Sequence, residues 1–174
     1  LSNGAARWEA TVAEPKGATE VERLADVVGP VAVNKPDVCA AAYQGRLMCA
    51  DVTNGNLRWA RDMPALAGVL IDDNTVYSVD ARSHVNAFAR STGASVWSNA
   101  QLHYRSVTAP ARVGPALVVG DGEGYAHFLA PGDGAFMART RIDSSAIVAT
   151  PQVGAGVVVL QTQDGTVMAL SVER

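Results

Sequence analysis

Residues 48–59 read Met48-Cys49-Ala50-Asp51-Val52-Thr53-Asn54-Gly55-Asn56-Leu57-Arg58-Trp59, which is an apolar run, an Asn-Gly turn and a second run that reaches a tryptophan. The Gly-x-x-x-Trp part recurs at Gly4–Trp8 and Gly93–Trp97, and its glycine recurs at Gly134. The glycines at 55, 93 and 134 are 38 and 41 residues apart. Turn residues at 44–45, 83–84, 123–124 and 164–165 follow at intervals of 39, 40 and 41. A shared period near 40 indicates a repeat protein.

Each repeat contains four short runs that are typical of β-strands. In the third repeat these runs are Val107–Val113, Ala116–Gly120, Tyr125–Leu129 and Phe136–Thr140. Valine-rich runs separated by Gly, Pro and Asp favour strands joined by turns. Four antiparallel strands every ~40–45 residues are the pattern of a propeller blade. The sequence therefore predicts an all-β fold, a β-propeller of about four blades. Large apolar side chains are predicted to wedge between neighbouring blades at Trp8, Trp59 and Trp97.

The period also divides the chain into six segments. They are a fourth strand of an incomplete blade (1–12), a long inter-blade connection (13–28), three blades (29–62, 65–100 and 107–142) and three strands of a closing blade (148–172). The incomplete ends could complete each other in a four-blade ring, or two copies could exchange them in an eight-blade ring. We favour the second arrangement, hence self-association, because open strand edges pair readily. A remnant that has lost its other half is the third possibility.

Composition excludes several classes of protein. Fourteen Lys and Arg against seventeen Asp and Glu give a net charge of −3, so no basic excess favours nucleic acid. Hydrophobic residues at 48% with charged residues at 18% indicate a buried core rather than disorder. No apolar run approaches the ~18 residues that a membrane-spanning helix needs.

No catalytic or metal-binding pattern is visible. The three histidines, His84, His103 and His127, have no ligand spacing, so neither a metal nor any other cofactor is predicted. Asp121-Gly122-Glu123-Gly124 lacks the spacing of a calcium loop and is interpreted as a hairpin turn. No nucleophile is accompanied by a base and an orienting group. The sequence predicts that the protein is not an enzyme.

Two cysteines flank the first hairpin. A three-residue turn around Gly45 would set Cys39 opposite Cys49, whereas a two-residue turn would put them out of register. Opposed residues have Cβ atoms ~4.5–5.5 Å apart, which modest strain closes to disulfide distance. The sequence is compatible either with a disulfide between Cys39 and Cys49 or with two buried thiols.

The repeat itself resembles a known family. Residues 48–59 are similar to the Ala-Leu-Asp-x-x-Thr-Gly-x-x-x-Trp repeat of PQQ-like propellers. The resemblance to these propellers extends over essentially the whole chain. The stretches 20–27, 42–47, 118–125 and 163–167 further resemble the C-terminal half of the BamB family, the propeller lipoproteins of the outer-membrane β-barrel assembly (BAM) machinery. The resemblance implies half of an eight-bladed ring, located at the periplasmic face of the outer membrane, with a lipid anchor outside this chain.

The same resemblance implies a scaffold that binds partners. These are the periplasmic POTRA domains of BamA, other BAM subunits and, by β-augmentation, unfolded outer-membrane proteins. An Arg-Leu-x-Asp-Val-Asp stretch of the family is expected to meet BamA, and the matching residues are Arg23, Leu24, Asp26 and Val27, with Val28 in place of the second Asp. Alternatively, Asp26 only caps a turn and Arg23 pairs with Glu20 or Glu22.

Two other functions stay as alternatives. A ligand-binding or sensor propeller would share the repeat. A quinoprotein dehydrogenase, or its remnant, is expected to carry adjacent cysteines against the quinone and a carboxylate-rich calcium site. Here the two cysteines are ten residues apart and no acidic cluster is visible, so the enzyme alternative is disfavoured.

Overall fold

The computed structural model describes residues 4–13, 26–43 and 45–172, with Asp26 described by its backbone only. Within these ranges the chain forms β-strands and turns and has no α-helix. None of the described residues therefore belongs to a helix long and apolar enough to cross a bilayer. The strands form four successive antiparallel sheets, which we number as blades one to four.

Blade one contains a divided first strand. Its five strands are β1 (Asp26–Val27), β2 (Ala32–Asn34), β3 (Asp37–Tyr43), β4 (Arg46–Asp51) and β5 (Leu57–Asp62). Both β1 and β2 pair with the same edge of β3. Gly29 separates them with a φ of +67°, which a glycine adopts without steric cost. Residues 26–27, predicted as part of the connection 13–28, therefore belong to the blade instead.

The other blades follow the predicted strand order. Blade two comprises β6 (Ala65–Ile71), β7 (Thr75–Asp80), β8 (Val85–Ala89) and β9 (Ser95–Asn99). Blade three comprises β10 (Ala111–Val113), β11 (Ala116–Gly120), β12 (Tyr125–Leu129) and β13 (Phe136–Arg141), so β11 and β12 coincide with the predicted strands. Blade four has three described strands, β14 (Gln152–Gly154), β15 (Val157–Gln161) and β16 (Val167–Ser171).

The N-terminal segment differs from its prediction. A fourth strand was predicted over residues 1–12, but the described residues 4–13 form no strand. The fourth strand of a blade pairs with the third strand of the same blade, and no described strand pairs with this segment. It lies against blade one through side-chain contacts instead. Arg46 donates hydrogen bonds to the Val12 and Thr11 carbonyl oxygens, at 3.1 and 3.0 Å.

The hydrophobic core lies between neighbouring blades. Leu47 of blade one packs in one cluster with Val76 and Phe88 of blade two. Equivalent clusters join blade two to blade three and blade three to blade four. Because both faces of an inner blade are covered, β11 is buried at every residue. Each fully buried Val or Leu stabilises this packing by ~1.5–3 kcal/mol.

The three tryptophans occupy equivalent places in successive sequence repeats. Each lies against the turn glycine that precedes the fourth strand of the next blade. The pairs are Trp8 with Gly55, Trp59 with Gly93 and Trp97 with Gly134, where an added Cβ atom would lie 2.8, 2.6 and 2.6 Å from the indole. The indole nitrogens donate to the carbonyl oxygens of Val52, Arg90 and Pro131, at 3.0, 2.7 and 2.8 Å. Residues 4–13 thus keep the tryptophan contact of a fourth strand without its pairing.

Candidate partner-binding surface

One end of the propeller carries both the hairpin turns and the inter-blade connections. The connection after β9 contacts the turns of blades two and three, since the Tyr104 amide donates to the Arg82 oxygen at 3.0 Å and the Gly122 amide donates to the Arg105 oxygen at 2.7 Å. The next connection contacts blade four, where the Gln163 amide donates to a connection oxygen. We name this end the connection face; among the described residues it comprises Tyr43 and residues 45–46, the turns 80–84, 121–125 and 162–166, and the connections between blades.

A buried ion cluster lies beneath the connection face in blade three. The Asp121 side chain is 0% exposed. Its Oδ1 accepts hydrogen bonds from the Glu123 and Tyr125 amides, at 2.9 and 3.0 Å. Its Oδ2 accepts hydrogen bonds from Arg105 Nε and His127 Nε2, both at 2.7 Å. The carboxylate therefore joins the hairpin turn, the connection and strand β12 at one point.

These contacts change the acidity of Asp121. Burial raises the pKa of the carboxyl, but the hydrogen bonds from His127, the Tyr125 amide and Arg105 outweigh burial and lower the pKa to about 2. Asp121 is thus ionised at neutral pH. A buried carboxylate with two charged or polar side-chain partners and two amides is a structural anchor, because all its accepting positions are filled.

A second carboxylate–histidine group is more exposed and lies in blade two. His84 Nδ1 lies 3.0 Å from Asp80 Oδ2, and His84 Nε2 lies 2.8 Å from His103 Nδ1. The His103 ring is in turn 3.9 Å from the Tyr104 ring, centroid to centroid, and Tyr104 is 74% exposed. Among the described residues, no group of three or more His, Cys, Asp or Glu is arranged to hold a metal ion.

Similarity to known proteins decides the family. The family model described as "Outer membrane protein assembly factor BamB" matches residues 1–99, which are 99 of the 174 residues. The chain belongs to the BamB family.

Individual BamB relatives match over almost all of the chain. The protein named outer membrane protein assembly factor BamB in Bordetella pertussis is 45% identical over 168 residues, which are 96% of this chain and 44% of that protein. Its namesake in Escherichia coli K12 is 34% identical over 172 residues, covering 98% of this chain and 44% of that protein. The crystal structure of BamB from Moraxella catarrhalis has a TM-score of 0.86 at 28% identity and covers 93% of this chain and 48% of that chain.

The BamB comparisons confirm the predicted fold class and family. The chain is an all-β propeller of four-stranded antiparallel blades with the PQQ-like repeat. It spans about half the length of the BamB relatives that it matches.

The residues predicted to bind a partner are placed only in part. Arg23 and Leu24 lie outside the described residues. Asp26 and Val27 form β1, whose backbone pairs with Tyr43 and Ala42. Because Tyr43 ends β3 at the hairpin turn, β1 lies on the connection face of this BamB-family propeller. Val27 is 46% exposed there.

The two cysteines lie away from the connection face, in the middle of blade one. The register pairs Cys39 with Cys49, and their sulfur atoms form a disulfide. Both residues are buried in the core between blades one and two. The enclosed loop is short, so a small contribution to stability is expected from the cross-link.

Two groups of functional interest were missed by the sequence reasoning. The histidines were interpreted as scattered residues, although His84 and His127 each contact the aspartate that starts a hairpin turn. The repeat contained a usable signal, since Asp80 and Asp121 are one period apart. No sequence pattern indicated the role of Arg105, because its contact with Asp121 depends on how the connection folds.

Proposed function

We propose that this chain contributes to a non-catalytic scaffold subunit of the BAM complex. Its connection face would bind the POTRA domains of BamA at the periplasmic face of the outer membrane and aid the assembly of outer-membrane proteins. The observation that carries the proposal is the match of 96–98% of the chain to proteins named outer membrane protein assembly factor BamB. Other BAM subunits are further candidate partners.

The fold suits a docking role. Loops that bind partners are commonly held by a rigid scaffold. Here Arg105 and the buried Asp121 hold the connection and the hairpin turn of blade three together. In blade one, β1 presents Val27, which pairs with Ala42 and is 46% exposed. An apolar contact with charged neighbours is a usual composition for a protein interface.

The alternatives receive less support. A quinoprotein dehydrogenase or a ligand-binding propeller would share the repeat, but the matching family model and curated relatives carry the name of an assembly factor. Unfolded outer-membrane proteins remain a second candidate partner, through pairing with an open strand edge.

The test is a calorimetric titration of the chain with the purified POTRA domains of its cognate BamA. We expect Asp26→Arg to weaken binding about 30-fold, because reversing a charge at a protein contact costs ~2 kcal/mol or more. Asp73→Arg is the matched control, since it reverses an exposed charge in the turn between β6 and β7, at the end of blade two opposite the connection face. We expect it to change the Kd less than threefold.

Two outcomes would contradict the proposal. If Asp26→Arg binds as tightly as the unaltered chain, β1 is not at the contact. If only a full-length relative binds and this chain does not, the contact lies in the part of the BamB relatives that this chain does not span.

A further inference from the structure

We propose that a groove between blades two and three binds a short extended segment of a partner protein in which an acidic residue and a large apolar residue stand two positions apart. This site is separate from β1. The inference does not rest on the proposed function, because it follows from the shape and charge of the groove alone.

The groove arises from the way the chain leaves blade two. Strand β9 ends at Asn99, and residues 100–110 form turns before β10 begins. Asn99 still reaches blade three, donating a hydrogen bond to the Gly134 oxygen at 2.7 Å. Past that contact the connection separates from β13, so Leu102 and Arg105 form one wall and residues 136–139 form the other.

The groove is lined by polar and apolar side chains in similar measure, and its apolar part includes the exposed side chains of β13. Its volume is about 430 Å³, which lies within the ~300–1,000 Å³ typical of ligand sites. Phe136 is 38% exposed and Met137 is 51% exposed, although both belong to a strand. The His127 ring lies 5.7 Å from the Phe136 ring, centroid to centroid. An aromatic or long aliphatic side chain of a partner would bury this surface.

Unpaired positive charge lies along the same side of the sheet. Arg139 and Arg141 pair in register with His127 and Tyr125. Their guanidinium carbons lie 4.8 and 5.6 Å from the centroid of the Tyr125 ring. In the part of the chain that the structure describes, neither arginine forms a salt bridge, whereas Arg105 is already paired with Asp121. Two exposed guanidinium groups without carboxylates are complementary to acidic side chains.

The charge is local to this side of blade three. The whole chain carries −3, so it offers no general attraction for polyanions. Apolar surface at Phe136 and Met137 next to arginines therefore favours a polypeptide over a nucleic acid, whose backbone would leave this surface uncovered. A carboxylate on Arg139 would place the next-but-one side chain of an extended segment within reach of the groove.

The experiment is fluorescence polarisation with three labelled peptides and the full chain. The probes are Asp-Ser-Phe-Ser-Asp, Lys-Ser-Phe-Ser-Lys and Asp-Ser-Gly-Ser-Asp, each measured at low and moderate salt. We expect the first peptide to bind at least tenfold more tightly than the other two. Arg139→Glu should weaken its binding at least tenfold, and Arg139→Lys less. Arg82→Glu is the control, because Arg82 is an exposed arginine of the blade-two turn, and it should change binding less than threefold.

Several results would overturn the inference. These are equal binding of the lysine or glycine peptide, an equal loss with Arg82→Glu, or tighter Arg139-dependent binding of a single-stranded oligonucleotide. If Arg139→Glu does not fold, as judged by circular dichroism, Arg141→Glu provides the same test on the neighbouring exposed arginine. The peptide assay uses no BamA, so its failure and a failure of POTRA binding are distinguishable.

Discussion

The hairpin turns of blades two and three have the same hydrogen bonds from backbone amides to an aspartate, but the two aspartates contact different side chains. In blade two, Asp80 Oδ1 accepts hydrogen bonds from the amides two and four residues later, Arg82 and His84, both at 2.9 Å. In blade three, Asp121 Oδ1 accepts from the equivalent amides, at 2.9 and 3.0 Å. The aspartate in each repeat therefore shapes the turn with one carboxylate oxygen.

The two turns diverge at the second oxygen. Asp80 is 21% exposed, and its Oδ2 contacts the surface residue His84. Asp121 is fully buried, and its Oδ2 accepts from Arg105 and His127. The same residue type at the same place in the repeat thus contacts a partly buried histidine in one blade and a fully buried ion cluster in the next. What surrounds the second oxygen decides its contribution to stability.

The largest expected effect is that of removing each carboxylate. Asp121→Ala leaves Arg105 without its buried partner and should lower the free energy of unfolding by ~3–5 kcal/mol, as breaking a buried ion pair does. Asp80→Ala removes the same turn hydrogen bonds from an exposed site and should cost ~1 kcal/mol. Urea denaturation followed by circular dichroism measures both. Equal losses of unfolding free energy would show that the hydrogen bonds to the turn amides, rather than the buried cluster, account for the stabilisation.

The repeat made most of the fold predictable from the sequence. Turn residues and valine-rich runs recur every ~40 residues, so the strands at 116–120 and 125–129 were placed correctly. The short strand β1 was not predicted, because Gly29 and Pro30 interrupt the strand pattern before β2 begins. Residues 4–13 carry the tryptophan motif of a fourth strand, but a motif cannot show whether a pairing partner lies beside it.

The candidate sites were less predictable. The segment 23–27 was found through resemblance, and only Asp26 and Val27 of it lie within the described residues. Arg139 and His127 are neighbours only through strand pairing, and Leu102 faces them only because the connection turns away after Asn99. Contacts that depend on the course of a connection leave no periodic signal in a sequence.

The second prediction concerns the left-handed position of each turn. Ser83 in blade two and Gly124 in blade three both have positive φ, at 67° and 81°. A Cβ atom on Gly124 would lie 2.4 Å from the Asp143 carbonyl oxygen, so Gly124→Ser should lower the free energy of unfolding by ~3 kcal/mol. Gly165, at the same position in blade four, has open space, and Gly165→Ser should cost ~1 kcal/mol. Thermal or urea unfolding tests both, and similar losses would contradict the role of the Asp143 contact.

The smallest effect is a pH dependence specific to blade three. The pKa of Asp121 is lowered from 3.8 to about 2 in the folded chain, so its ionised form stabilises the fold above pH ~4, and this contribution is lost as the pH falls towards 2. Asp121→Asn keeps an oxygen for the turn amides and removes the charge. The difference in unfolding free energy between the unaltered chain and Asp121→Asn should be constant between pH 5 and 7. It should then shrink by on the order of 1 kcal/mol at pH 3, because protonation of the unfolded carboxyl begins first. Urea denaturation at each pH measures it, and a difference that stays constant down to pH 3 would mean that the charge on Asp121 does not stabilise the cluster.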